Sequence, residues 1–285
     1  MDSVSRKIFD SHVAEWGSYV RSPLGAIRQE LTRFVLATYL PEGDEIKRVL
    51  DAGCGLGEMA RSWLEKGCQV YLCDFAPAML AAARESLLAG HSEWTSLLRC
   101  VESHVEELPR RFDPGFFDLI FCHTLLEYVE DPQATIRQLA GLLRVGGFFS
   151  CVIANRFSEA WHLAVRAHDP EEAAAALERG VFSSRLFQNM PQTAFSSEEV
   201  VNLLARSSLK SCGEFGLRIF ADFFPAEQLQ EADFFRKVIE LEHRALSKDP
   251  FRQLARYIQV LARKEPEETK QPAQEKGSCT PWESA

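Results

Sequence analysis

The sequence predicts an α/β fold, a mostly parallel sheet with helices on both faces, and three observations predict it. Between residues 48 and 154 short apolar runs alternate with segments of helical spacing, the rhythm of βαβ units. One run ends in Asp51 and passes straight into a glycine turn, Gly53-Cys54-Gly55-Leu56-Gly57, before a helix. Another, QVYLCD, ends in Asp74, about the separation at which a nucleotide-binding fold places its ribose-binding acid.

Each element follows from its local pattern. Residues 3 to 40 carry apolar positions at helical spacing (Ile8, Phe9, Val13, Trp16, then Ile27, Leu31, Phe34, Val35) broken near Pro23, which predicts two helices. Strands are expected near 48–52, 69–73, 96–101, 117–123 and 147–154, with helices near 57–66, 77–89 and 132–144. From 155 to 195 the rhythm lapses into an irregular, partly helical stretch that reads as an insertion over the sheet. Ser196 and Glu199 have capping-box spacing, so a helix should run from there to about 206. A strand near 209–220, a helix near 226–246 and a last strand in RQLARYIQVLARK complete a seven-stranded sheet. The chain therefore divides into a helical lid (1–47), a ligand-binding core (48–154), the insertion (155–195), the carboxyl-terminal part of the sheet (196–264) and a polar, proline-containing tail (265–285) expected to be disordered.

Composition narrows the function classes. With 46% hydrophobic residues in 285, a sizeable core is available. The net charge of -9 disfavours tight binding to nucleic acid by charge alone, although a local basic face can sit on an acidic whole. Eight cysteines lie scattered without CxxC spacing, mostly in apolar runs, as small core residues in a reducing compartment would. The polar beginning MDSVSRKIFD has no export pattern and the apolar runs are strand-sized, so a cytoplasmic protein without a membrane span is expected.

The glycine turn carries the first chemistry. After a strand, glycines let the backbone turn tightly and let a ligand approach to contact distance. A carboxylate at Asp74 could accept hydrogen bonds from both hydroxyls of a ribose. These two features alone fit any nucleotide-binding α/β protein, although the spacing is GxGxG rather than the GxGxxG favoured by dinucleotide enzymes. His123, just past the fourth strand, sits at the carboxyl edge where such sheets bind ligands.

Four segments in order, DAGCGLG, the strand end at Asp74, FDLIFCHTLLEYVEDP from Phe117 and LLRVGGFFSCVI from Leu142, resemble the class I S-adenosylmethionine-dependent methyltransferases. The resemblance covers roughly residues 48 to 154. It implies a Rossmann-like methyltransferase fold and S-adenosylmethionine as methyl donor. It further implies donor contacts from Asp51, Ala52, Gly53, Gly55, Gly57, Asp74, Phe75, Glu102 and Ser103, with no metal, since the sulfonium already activates the methyl carbon.

A narrower resemblance runs over most of the chain. RKIFDSHVAEWGSYVRSPLGAIRQE, GLRIFADFF and the ELE…DPF…RYI…ARK pattern are similar to the bacterial tRNA 5-carboxymethoxyuridine methyltransferases. What this implies is a donor contact from Arg28, a further one from His123, tRNA as partner, and transfer to a carboxylate, which needs no general base. Arg218, Tyr257, Arg256 and Asn155 are then candidates to position that carboxylate. Arg218 and Arg256 could equally be in salt bridges with Asp222 or with the Glu240 and Glu242 pair. Where the tRNA enzymes present a lysine-rich run, the stretch ALERGVFSSRLFQNMPQTAFSSEEV here has only Arg179 and Arg185 as basic residues. A small-molecule O- or N-methyltransferase, with Phe157, Trp161, Phe182, Phe187 and Phe195 closing an apolar acceptor pocket, is the alternative, and a binding protein without turnover is a third.

Overall fold

The computed structural model describes residues 3–41, 45–179, 181–184, 187 and 190–266. The chain begins with α1 (Ser3–Ser11), α2 (Val13–Arg21) and α3 (Pro23–Tyr39). Three helices thus replace the expected two, because the chain also breaks at His12, ahead of the break at Pro23. Ser22 caps α3 by accepting from the Gly25 N–H, with Pro23 in its first turn. Gly25 is required at this corner: a Cβ there would lie 2.1 Å from the Tyr19 carbonyl oxygen. Its absence lets α2 fold tightly back onto α3 and brings Tyr19 beside Arg28.

The core alternates as expected: β1 (Arg48–Ala52), α4 (Ala60–Glu65), β2 (Gln69–Asp74), α5 (Pro77–Leu88), β3 (Leu98–Glu102), β4 (Phe117–His123), α6 (Pro132–Leu142) and β5 (Leu143–Ala154). The insertion is more regular than its sequence suggests. It folds as two helices, α7 (Ser158–Val165) and α8 (Pro170–Glu178), and a hairpin of β6 (Val181–Ser184) and β7 (Met190–Thr193). Arg185 lies outside the described residues, as do residues 267–285 of the expected tail and Cys279.

After α9 (Ser197–Ala205), whose capping box between Ser196 and Glu199 is formed, come β8 (Leu209–Leu217), α10 (Ala232–Ala245) and β9 (Tyr257–Lys264). The seven strands are ordered β3-β2-β1-β4-β5-β9-β8; the first five pair in parallel, and β9 is antiparallel to both its neighbours. Two apolar layers, one around Leu31, Val49 and Phe121 and one around Leu50, Phe117 and Phe149, cover the faces. The strand ends of β1, β2 and β4 therefore meet at one edge, which is where an open α/β sheet binds its ligand. No helix among the described residues is long and apolar enough to cross a membrane. Cys54, Cys68, Cys73, Cys122 and Cys151 are buried, whereas Cys212 is exposed.

Candidate active site

The glycine turn is tied to the neighbouring strand. The N–H groups of Gly53 and Cys54 both donate to the Cys73 carbonyl, at 2.8 and 3.0 Å. Asp74 accepts from the Gly55 N–H through Oδ2 and from the Ala76 N–H through Oδ1, each at 2.9 Å. Gly55 has φ +52°, and a Cβ on it would stand 3.2 Å from the Trp16 indole nitrogen, so a side chain there would be both strained and crowded.

Beneath this turn lies a cavity of about 50 Å³ lined by Arg28, Asp51, Gly53, Gly55, Glu58 and His123, among others. Its walls are rich in carboxyls whose charge is poorly compensated. Burial pushes Asp51 well above the usual carboxylate range, and Glu58 and Asp74 beside it push further. Burial raises Asp74 to about 6 against the pull of three backbone N–H groups, and also raises Glu58 in spite of Arg28. Arg28 itself sits among the rings of Trp16, Tyr19 and Tyr257, at 5.3, 5.5 and 5.3 Å from their centroids. An excess of acid beside one guanidinium suits a ligand carrying a cation and a carboxylate together, as an amino-acid moiety does.

His123 forms the far wall. Burial drives its imidazole down to about 3, with the Arg28 charge adding to the effect, so the ring is neutral. Its Nε2 lies 2.8 Å from Ser150 Oγ. The next residue, Thr124, also lines the cavity and holds φ +49°, a conformation that β-branched residues rarely adopt.

A second polar cluster adjoins Arg28 on the side of β8 and β9. Arg218, 4% exposed, sits just past β8 with φ +60° and is gripped by Asp222 through Nε, at 2.8 Å, and through Nη2. Its third nitrogen, Nη1, donates to the Tyr19 hydroxyl at 2.8 Å, which lies 3.4 Å from the Tyr257 hydroxyl. Burial alone would raise Tyr257, but the guanidinium groups of Arg218, Arg28 and Arg256 outweigh it and lower its pKa. Tyr19, by contrast, is pushed up to about 12, chiefly by burial and then by Tyr257. The loop after Arg218 is held by Glu242, which accepts from the N–H groups of Ile219, Phe220 and Ala221, all at 2.8 Å.

Residues 50–151 match the model of a methyltransferase domain. The chain is 31% identical over 246 residues to the tRNA 5-carboxymethoxyuridine methyltransferase of Escherichia coli K12, an alignment that covers 84% of this chain and 89% of that one. The chain belongs to the class I S-adenosylmethionine-dependent methyltransferases. It is also 35% identical over 145 residues to a ubiquinone biosynthesis O-methyltransferase of Xanthomonas axonopodis, covering 51% of this chain and 57% of the relative. In fold it is similar to magnesium protoporphyrin IX methyltransferase from Synechocystis with bound S-adenosylhomocysteine, at a TM-score of 0.61 and 14% identity over 93% of this chain and all of that one. This methyltransferase therefore uses S-adenosylmethionine as methyl donor.

The methyltransferase gathers only part of the expected donor set around the cavity: Arg28, Asp51, Gly53, Gly55 and His123. Ala52 is fully buried below it, and a Cβ on Gly57 would meet Leu72 and Leu87. Asp74, Phe75, Glu102 and Ser103 lie further along the edge, under α1. There Arg6 pairs with Glu102, Asp10 accepts from the Ala78 N–H, and the ring of Phe9 packs edge-on against Phe75. Ser103 Oγ donates to the His104 carbonyl, and Phe75 stacks on the His104 ring.

Among the residues expected to position an acceptor, Arg218 pairs with Asp222, one of the alternatives open from sequence, whereas Arg256 pairs with Glu159 of α7 rather than with Glu240 or Glu242. Asn155 is spent on structure: its amide donates to the carbonyls of Gln253 and Ala255 and its oxygen accepts from the Phe157 N–H. The side chain of Phe182 lies outside the described residues, and the other aromatic residues of the insertion do not share one pocket: Phe187 joins Phe9 and Trp16, Phe195 is core, and Phe157 and Trp161 are exposed. Sequence reasoning missed Trp16, Tyr19, Glu58 and Thr124. Only Glu58, directly after the glycine turn, carried a local signal; the others arrive through the α2–α3 corner and a left-handed backbone.

Proposed function

We propose that this methyltransferase esterifies the carboxylate of 5-carboxymethoxyuridine at the wobble position of tRNA, by in-line transfer without a general base. The observation that carries the proposal is the cluster of Arg28, Arg218 and Arg256 around the Tyr19 and Tyr257 hydroxyls, directly beside the donor cavity. An ionised carboxylate attacks the methyl carbon as the sulfur–carbon bond breaks, and no proton has to move. Such an acceptor wants hydrogen-bond donors near positive charge, which this cluster supplies. His123, neutral and far below its ordinary pKa, would be a poor base, and the mechanism asks none of it. Because Arg218 spends its nitrogens on Asp222 and Tyr19, it positions the tyrosine hydroxyls, and Tyr257 is the group that meets the acceptor.

For the donor, Arg28 would pair with its carboxylate, Asp74 would take the ribose hydroxyls, and Glu102 or Ser103 would meet the adenine. In this proposal α1 and α2, with the β6–β7 hairpin, form a lid that opens for the donor; Phe9 bridges Phe75 and Phe187 across it. The relative from Escherichia coli, similar along most of the chain, supports the tRNA acceptor, and a cytoplasmic location would follow. The test is transfer of labelled methyl from S-adenosylmethionine to tRNA from a strain lacking the homologous activity. The expected product is a base-labile ester on a wobble uridine; no incorporation into any tRNA would overturn it. The partial likeness to a ubiquinone biosynthesis O-methyltransferase supplies the second arm, a phenolic small molecule, which is expected to remain unmethylated.

A further inference from the structure

A polar chain crosses the middle of the sheet where packing alone would place apolar side chains. β4, β5 and β9 are neighbours, and His123, Ser150 and Gln259 stand on the same face of them: Ser150 is registered opposite Phe121, and Gln259 opposite Val152. Their neighbours on that face, Phe121, Val152, Phe215 and Leu261, all belong to one apolar layer. Ser150 and Gln259 are completely buried. Burying a hydroxyl and an amide in such a place is unfavourable unless they are hydrogen-bonded. Bonded they are: Gln259 Nε2 donates to Ser150 Oγ at 3.1 Å, and that oxygen lies 2.8 Å from His123 Nε2.

Counting protons gives the chain a direction. A serine hydroxyl has two lone pairs and one proton. The amide of Gln259 takes one lone pair, and Gln259 Oε1 has no hydrogen-bond partner, so it does not receive the serine proton. Were His123 Nε2 to donate to the second lone pair, the buried serine proton would have no acceptor among the hydrogen bonds described; giving it to Nε2 pairs it, and a neutral imidazole whose Nε2 accepts must carry its own proton on Nδ1. Had the amide oxygen faced Ser150 instead, the serine would donate to it and His123 would be protonated on Nε2. The orientation of Gln259 therefore sets the tautomer of a ring that lines the donor cavity.

We infer that Ser150 and Gln259 are positioning residues that hold His123 as its Nδ1–H tautomer, so that the donor cavity is offered a hydrogen-bond donor and not an imidazole lone pair. The polarity matters because a free imidazole nitrogen is itself a nucleophile toward an activated methyl group, and a site built to hold a sulfonium gains from having it protonated. The inference rests on the donor site alone and holds whichever acceptor is used. It extends the donor site two strands away, to a residue of β9 outside the cavity lining.

The full chain, labelled with ¹⁵N-histidine, tests it. A two-bond proton–nitrogen correlation spectrum, with the His123 signals assigned by their loss in His123→Asn, should show Nδ1 protonated and Nε2 unprotonated. Gln259→Met removes the amide at nearly constant volume, and Ser150→Ala cuts the chain. In each, His123 should become a mixture of tautomers and the dissociation constant for S-adenosylmethionine, by calorimetry, should rise about ten-fold. A merely structural role would lower the melting temperature and leave the tautomer alone. Protonation of His123 on Nε2 in the wild type overturns the inference, and so does an unchanged tautomer in either folded variant. The wild-type spectrum decides the matter even if neither variant folds.

Discussion

The two polar clusters on either side of Arg28 are built from opposite charges and finished to different degrees. On the proposed donor side Asp51 and Asp74 are buried and Glu58 half-buried, Arg28 lines the cavity with Asp51 and Glu58, and all three carboxyls are pushed up in pKa. On the acceptor side Arg218 is gripped by Asp222 and Arg256 by Glu159, so the charges are matched within the protein. The difference separates two ways of preparing a site. An under-compensated cluster stores strain that a charged ligand relieves, whereas a compensated one is scaffolding that aims neutral hydroxyls. Arg28 belongs to both, lining the cavity on one side and facing the rings of Tyr19 and Tyr257 on the other.

Breaking the compensated side should have the largest effect. Arg218→Met leaves Asp222 buried without its partner and should destabilise the fold by about 3–5 kcal/mol, seen in denaturant melts. Arg218→Met combined with Asp222→Leu should recover most of that stability but no methyl transfer. Recovery of both would mean that the ion pair only packs.

The under-compensated side predicts a pH dependence. The folded-state pKa of Asp74, about 6, lies above its ordinary value of 3.8, so its contribution is present below the lower value and lost as pH rises through the upper one. The ligand-free protein should therefore lose on the order of 3 kcal/mol between about pH 4 and pH 6.5 from this group, with Asp51 and Glu58 acting in the same direction. Thermal melts of wild type and Asp74→Asn across that range measure it, and equal slopes would refute it. Affinity for S-adenosylmethionine should run the other way, tightening as Asp74 ionises and becomes able to accept two hydroxyls.

A smaller change sharpens the division between the two sides. Tyr257→Phe should lower kcat/KM for the acceptor about ten-fold, some 1.4 kcal/mol, while the dissociation constant for the donor stays within two-fold. An equal loss in donor binding would place the hydroxyl on the donor side instead. The smallest effect is expected at the half-exposed pair of Arg6 and Glu102. Arg6→Ala should change stability by less than about 1 kcal/mol, and a larger loss in melting temperature would show that α1 is held mainly by this pair and not by Phe9.

The donor half was legible because its signals are local. A glycine turn after an apolar strand, an acid ending the next strand and a histidine ending the fourth each report on their own few residues, and parallel pairing brings those strand ends to one edge. Capping was legible for the same reason: Ser196 and Glu199 form their box as the spacing requires. The insertion was less so, since the β6–β7 hairpin has no alternating pattern to announce it. The acceptor half depends on contacts between distant parts of the chain. Tyr19 meets Arg218 across 199 positions, and Arg256 meets Glu159 across 97.

By itself the sequence determined the α/β rhythm, the glycine turn and the acids that follow the strands, because backbone conformation and strand burial answer to neighbouring residues. Tertiary structure alone decided that Trp16, Tyr19 and Thr124 join the site, that Asn155 is structural, and that Ser150 and Gln259 stand behind His123. A side chain's charge, exposure and hydrogen-bond partners are set by what folds against it, and those partners come from strands and helices far away in the chain.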